Sequence, residues 1–455
     1  MNDHLPQASG DRVALAFATA VAMWLAGFAS RIPAVSLPAM TVLTLLAMIL
    51  FAGGMVSGAA TTRGWRGGAA VGALAQLVNL LVLGAILGER PLTEDERAAA
   101  RSPTPSIVEP ARDADGMRTG PWSDALVWVP GTIAVGAAIG AAGGLLGRRL
   151  APPHQTMRAD WSAPLVGAAW FATLGVIALG GLVTGFEVGL AVPDWPSTFG
   201  WTMFLYPLSR MTGGIYYEHS HRLMGSLVGL VVLVVAVHLG WRDPRPTIKR
   251  MGFAVLLVVC GQGLLGGLRV LEQNPRLAAL HGILGQVVLA LVAALCAATT
   301  RTWRNYALPR TATPSDRLLA HGLLGALLAQ LALGAATRHH AITPYAHLLW
   351  ALPTSFLCLA LGSRAMGMSG APRHARRAGS VLLGLIVVQL ALGFAAFIAT
   401  RLPRASDAPE SIEVAVTTMH QTCGALVLAT AAWIAAWFER MRGDVPGPTW
   451  GLGRP

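Results

Sequence analysis

Apolar runs of roughly 20 residues recur along almost the whole chain, near 13–30, 38–60, 68–88, 124–147, 162–183, 217–239, 252–271, 277–299, 317–336, 344–363, 379–399 and 413–437. About 20 residues is the length at which a helix crosses the hydrocarbon core of a bilayer. The runs are rich in Leu, Val, Ala and Gly and carry no internal acids. They lack the short alternating segments of a membrane β-barrel, so helices are expected. With 12% charged residues in 455, soluble, disordered and disulfide-scaffold classes are excluded. The expected fold is an all-α polytopic membrane protein of about twelve spans, embedded in a lipid bilayer.

The charge balance, 34 Lys+Arg against 22 Asp+Glu, would suggest nucleic acid in a soluble chain. Here it reads as anchoring charge, and no nucleic-acid partner is expected. Almost all of it is arginine, Lys249 being the sole lysine. Clusters at Arg63/Arg66, Arg148/Arg149, Arg242/Arg245, Arg301/Arg304, Arg373/Arg376/Arg377 and Arg440/Arg442 each follow an even-numbered span. By the positive-inside rule both termini are expected in the cytoplasm and the odd-to-even loops outside. Asp3 and Asp11 do not fit an organellar transit peptide. The expected location is a bacterial-type cytoplasmic membrane. The four cysteines all fall inside apolar runs, which suggests neither disulfide nor zinc site.

Pro152-Pro153 marks a boundary between an N-terminal four-span unit, 1–150, and an eight-span unit, 160–440. A polar segment around Glu89–Gly120 reads as a solvated linker. Spans 1–4 contain no histidine and no visible redox chemistry, and their role is not legible.

The eight-span unit repeats. Its odd spans share Q-x-x-L-G at Gln262–Gly266, Gln330–Gly334 and Gln389–Gly393. Its even spans each open with a histidine followed four residues on by a small residue: His221/Gly225, His281/Gly285, His347/Ala351 and His420/Gly424. Two pseudosymmetric four-helix bundles are expected, 160–300 and 316–440. Imidazole in a membrane needs a partner or a metal. Two histidines at equal depth on neighbouring helices can hold a planar metal cofactor from both faces. The i+4 residue shares the histidine's helix face and, being small, is expected to leave room for a macrocycle. Two haem-sized sites follow, His221 with His281 and His347 with His420, near the outer surface.

His238 and His321 fall at inner ends and read as interfacial, and His339 and His340 as outer loop. Arg222, Arg269, Arg338 and Arg401 lie on the outer side against the charge bias, where they could pair with haem propionates. Glu218 shares a helical face with His221. It is either a proton-handling group or an orienter of the ligand. The stiff segment Pro193-Asp194-Trp195-Pro196, in the stretch Thr184–Tyr217, suits a cover for the first site, with Asp194 capping a turn.

Together, Pro193-Asp194-Trp195-Pro196, Glu218-x-x-His221-Arg222, Gln262-x-x-Leu-Gly266 and Leu280-His281 with Gln286 resemble the haem A synthase family, over about residues 160–440. The resemblance implies oxidation of the C8 methyl of haem O to a formyl group, giving haem A for cytochrome oxidases. It implies haem O as substrate at His221 and His281, haem b as cofactor at His347 and His420, and Glu218 as the essential acid. A haem O synthase and an electron-transfer partner of unknown identity are the implied associates. The chain departs from many relatives in lacking a cysteine pair in Thr184–Tyr217 and in carrying four extra N-terminal spans. The rival expectation is a b-type bis-histidine cytochrome that only transfers electrons; a haemless transporter with buried histidines is a third.

Overall fold

The computed structural model describes residues 10–32, 35–61, 63–82, 121–151, 160–305, 311–402 and 409–442. Its long helices are α1 (Gly10–Arg31), α2 (Ala39–Ala60), α3 (Gly64–Val82), α4 (Pro121–Leu150), α5 (Ser162–Gly185), α6 (Gly213–Arg242), α7 (Pro246–Leu271), α8 (Pro275–Thr299), α9 (Pro314–Arg338), α10 (Tyr345–Gly367), α11 (Arg373–Ala399) and α12 (Ser411–Arg440). A single helical turn, Arg301–Asn305, follows α8. The protein is all-α and spans a membrane many times. Among the described residues, eleven helices are long and apolar enough to cross it. α3 is not among them, and the end of its expected span, together with the Glu89–Gly120 segment and the Pro152-Pro153 boundary, falls outside the described residues.

Local sequence explains where several helices begin. α7, α8 and α9 each start on a proline, whose fixed φ and missing N–H suit the first helical position. Asn274 caps α8 by accepting from the Arg276 amide at 2.9 Å. Thr313 and Asp316 form a reciprocal capping box on α9.

The eight C-terminal helices form two closed rings. In the first, α5, α6, α7 and α8 each pack on the next and α5 closes on α8; in the second, α9 to α12 do the same. The rings share a seam in which α12 packs on both α5 and α8. Across it the Gln421 amide donates to the Ile177 carbonyl at 3.5 Å. α1 packs along α5 and reaches α6, so Phe17, Val21 and Met23 share one apolar core with Leu165, Leu227 and Val231.

Lipid is as apolar as leucine, so helices in it associate through close packing of small residues. α2, α3 and α4 show this directly. A side chain at Gly54, Gly58, Gly68 or Gly72 would run into the backbone of Gly136, Gly140 or Gly144 on α4.

At the end away from the histidines, buried Asp243 is held by Arg245 at 2.8 Å and by Arg304 at 3.2 Å. Arg304 also pairs with Asp160, at the foot of α5. Burial acts to raise the Asp243 carboxyl, but the hydrogen bonds and charge of these arginines outweigh it and hold it below the ordinary range. The second ring has its own tie, Arg364 to Asp316 at 2.6 and 2.9 Å.

Candidate functional site

The four repeat histidines sit within the first ten residues of α6, α8, α10 and α12, which run parallel, so they gather at one end of the two rings. They come together in twos. The His221 and His281 rings have centroids 6.1 Å apart and planes at 77°. His347 and His420 are 6.2 Å apart at 84°. With a metal–nitrogen distance of about 2 Å, two imidazoles on opposite faces of one metal have centroids roughly 6 Å apart. Both pairs therefore have the separation of a bis-imidazole clamp.

The same glycine seats each ring. A Cβ built on Gly266, Gly334 or Gly393 would lie 2.7–3.0 Å from the Cε1 atom of His281, His347 or His420. The closing glycine of Q-x-x-L-G thus makes room for the histidine of the next helix. Gly180 does this for His221, at 3.1 Å. It closes a fourth copy, Val176-x-x-Leu179-Gly180, hidden from sequence comparison because valine replaces glutamine. The His347 Nδ1 lies 3.2 Å from the Gln330 carbonyl. The rings of His221, His281 and His420 likewise meet the main chain at Val176, Gln262 and Gln389. Paired half-buried imidazoles, set against glycines and each tied to the main chain of the preceding helix, fit an iron porphyrin in each ring.

The small residue at i+4 has a further neighbour in two of the four helices. At Gly285 and Gly424 a Cβ would meet the amide of Gln262 at 3.1 Å and of Gln389 at 3.2 Å. Those amides reach back from the Q-x-x-L-G motifs: Gln262 donates to the His281 carbonyl at 2.8 Å and Gln330 to that of His347 at 3.0 Å. Their job is to fix the histidine-bearing helix.

Glu218 is fully buried. Its carboxylate accepts from the Val192 amide at 3.1 Å and from Arg222 at 2.8 Å, with Arg269 3.9 Å away. Arg222 also donates to the carbonyls of Val192, Asp194 and Ser197, at 2.7, 2.6 and 3.1 Å. Both terminal nitrogens of Arg222 are thus spent on the loop, and its expected role toward a propionate is not supported. Arg338 donates to the Thr184 carbonyl at 2.7 Å, across the seam between rings. Arg401 is exposed, 3.7 Å above the Phe397 ring. Arg269 lies between Glu218 and Gly189 and is the basic side chain best placed at the first site.

The loop from 186 to 212 folds over this end of the first ring. Asp194 accepts from the Ser197 hydroxyl at 2.6 Å and from the amides of Phe199 and Gly200 at 2.8 Å each. Burial acts to raise its carboxyl, and these bonds overcome that and hold it below the ordinary value. They close a hairpin, Ser197–Thr198 against Trp201–Thr202, whose turn places Phe199 and Gly200 at positive φ. Trp195 lies flat against Gly267 of α7. His219, which sequence reasoning passed over, is buried and bonds the Thr198 hydroxyl at 3.1 Å while packing on Tyr206. Burial pushes the Tyr206 hydroxyl up to about 12. The adjacency of His219 to the Glu218–His221 motif was the one sequence signal for it.

Comparison with known proteins bears on the same unit. Residues 163–345 match the COX15-CtaA family, described as cytochrome oxidase assembly protein. The chain is 31% identical over 159 residues to a protein named Heme A synthase from Caulobacter sp. (strain K31). That match takes in 33% of this chain and 43% of the relative, so the chain spans less than half the length of the curated relative it matches. The likeness to these proteins thus lies in residues 163–345, which hold the first helix ring, its covering loop and the start of the second ring.

Proposed function

We propose that the protein is a haem A synthase, oxidising the C8 methyl of haem O to a formyl group to supply haem A for cytochrome oxidase. The observation that carries this is the pairing of four histidines into two clamps of equal width, with the fully buried carboxylate of Glu218 one helical turn from His221 of the first. His221 and His281 would hold the substrate haem O, and His347 and His420 a resident haem b.

A bound haem b supplies one-electron redox chemistry, linking the first site to an outside electron carrier. The rest falls to the chain. Converting a methyl to an aldehyde takes two successive two-electron oxidations, each installing a hydroxyl, and the resulting gem-diol loses water. With water as the oxygen source, each stage releases two electrons, which the outside carrier must accept, and two protons, which must leave the reacting carbon's surroundings. Glu218 is the carboxylate one helical turn from His221, and it would take up the protons or hold water there. Arg222 and the Val192 amide orient it. The loop over the ring, with Trp195 against Gly267, shields the first site from water. Arg269 would face the anionic edge of the porphyrin. The positive-inside rule, applied to this chain's arginine clusters, would put these sites near the outer face of a bacterial cytoplasmic membrane, with both termini inside.

The test is the haem profile of Glu218→Ala, made in cells that also make haem O. The variant should retain haem yet accumulate haem O or a half-oxidised product. A normal yield of haem A would remove Glu218 from the chemistry. His347→Leu and His420→Leu should each lose the resident haem and the activity. Full haem content in both would break the assigned pairing.

A further inference from the structure

The two rings are near copies, so a difference confined to one histidine is informative. Three of the four histidines have a glutamine directed at them from the preceding helix. Gln262 and Gln330 donate to the carbonyls of His281 and His347. Gln330 and Gln389 also lie 3.4 and 3.5 Å from the Nε2 atoms of His347 and His420. His221 has no such partner, because the equivalent position on α5 is Val176. The space differs in the same way. Where Gly285 and Gly424 face a glutamine amide, exposed Gly225 has no atom of a neighbouring group within 4 Å.

From these two observations we infer that His221 is the exchangeable ligand of the first site, and that the open face of its helix at Gly225 admits a small neutral molecule in its place. The inference rests on the haem-binding role proposed above and deepens it. The other three imidazoles sit on helices that a glutamine amide fixes, two of them through the histidine's own carbonyl. His221 is seated by Gly180 and bonds only the main chain at Val176, with no side-chain amide beside it. With haem bound, its nitrogen would leave the iron without breaking a glutamine contact, and the open face at Gly225 would admit the incoming ligand. His281, whose carbonyl Gln262 holds, would stay. One imidazole bond would be exchanged for one bond to the small molecule.

Carbon monoxide binding to the chemically reduced, haem-loaded full chain, followed in the Soret band, tests this. The wild-type protein should bind carbon monoxide at one of its two haems only. Val176→Gln, which restores the missing amide and covers that open face, should keep its haem and bind carbon monoxide about fivefold more weakly, the scale of one hydrogen bond. Gln389→Val, which removes the amide in the second ring, should make the second haem reactive too. Wild-type haem that binds no carbon monoxide would overturn the inference, as would loaded Val176→Gln that binds it as tightly as wild type. If Val176→Gln does not load, an unchanged reactive fraction in Gln389→Val overturns it. A protein that takes up no haem at all would instead overturn the proposed function, and the inference with it.

Discussion

Arg222 shows how far a residue's use can lie from its chemical type. It joins Glu218 to three carbonyls of the covering loop. Arg222→Met should therefore release the loop and strand a buried carboxylate, costing about 3–5 kcal/mol. Thermal unfolding in detergent measures this; a loss under 1 kcal/mol would mean the cluster is not a tie. Asp194 makes a pH prediction. Its folded pKa is lowered, so its contribution is present above the ordinary carboxylate value near pH 4 and lost as pH falls through the lowered one. Trp195 emission should hold through pH 4 in the wild type and change only below it. Asp194→Asn should show the changed emission already at neutral pH. Equal acid limbs in the two proteins would contradict the cap. At this scale Glu218 and the four histidines were legible, because a three- or four-residue spacing on a helix fixes a shared face. Arg222 was not, because its acceptors are main-chain carbonyls about 25–30 residues away that no side-chain pattern announces.

The unit of construction is a helix pair in which one helix seats the histidine of the next. Gly393 does this for His420, and a Cβ there would lie 2.9 Å from its ring. Gly393→Val should displace the ring and lower haem content by about half, leaving the first site loaded. Unaltered haem stoichiometry in the purified variant would mean the glycine is not the seat. The Q-x-x-L-G repeat was visible in sequence, but its purpose was not. Its glycine and glutamine both act on the helix that follows. The α5 copy escaped notice because Val176 breaks the pattern at its most recognisable residue. Helix ends were read less well than helix existence. α6 begins at Gly213 and not near 217, which puts Glu218 inside the helix and lets Arg222 reach it across one turn.

Over the whole molecule, two helix rings repeat one plan, and among the described residues α1 packs on the first of them. α1 shares its core with α5 and α6, and Phe28 stacks on Tyr216 at 5.3 Å while accepting the Tyr216 hydroxyl at its carbonyl, 2.8 Å. Tyr216 is two residues from Glu218. Phe28→Ala should thus lower the thermal stability of the first site's haem and leave the second unchanged, as followed by haem release on heating. Loss of both haems at the same temperature would contradict a local role. Sequence showed these spans as extra and could not show where they dock, because α1 presents ordinary Leu, Ala and Phe. The central claim is that each ring holds one haem between its histidines and that the first of those haems is transformed. Extraction of the pigments from protein purified beside a source of haem O tests it most directly. The account predicts haem b together with haem O and haem A, in total about two haems per chain; haem b alone, or a colourless protein, would contradict it.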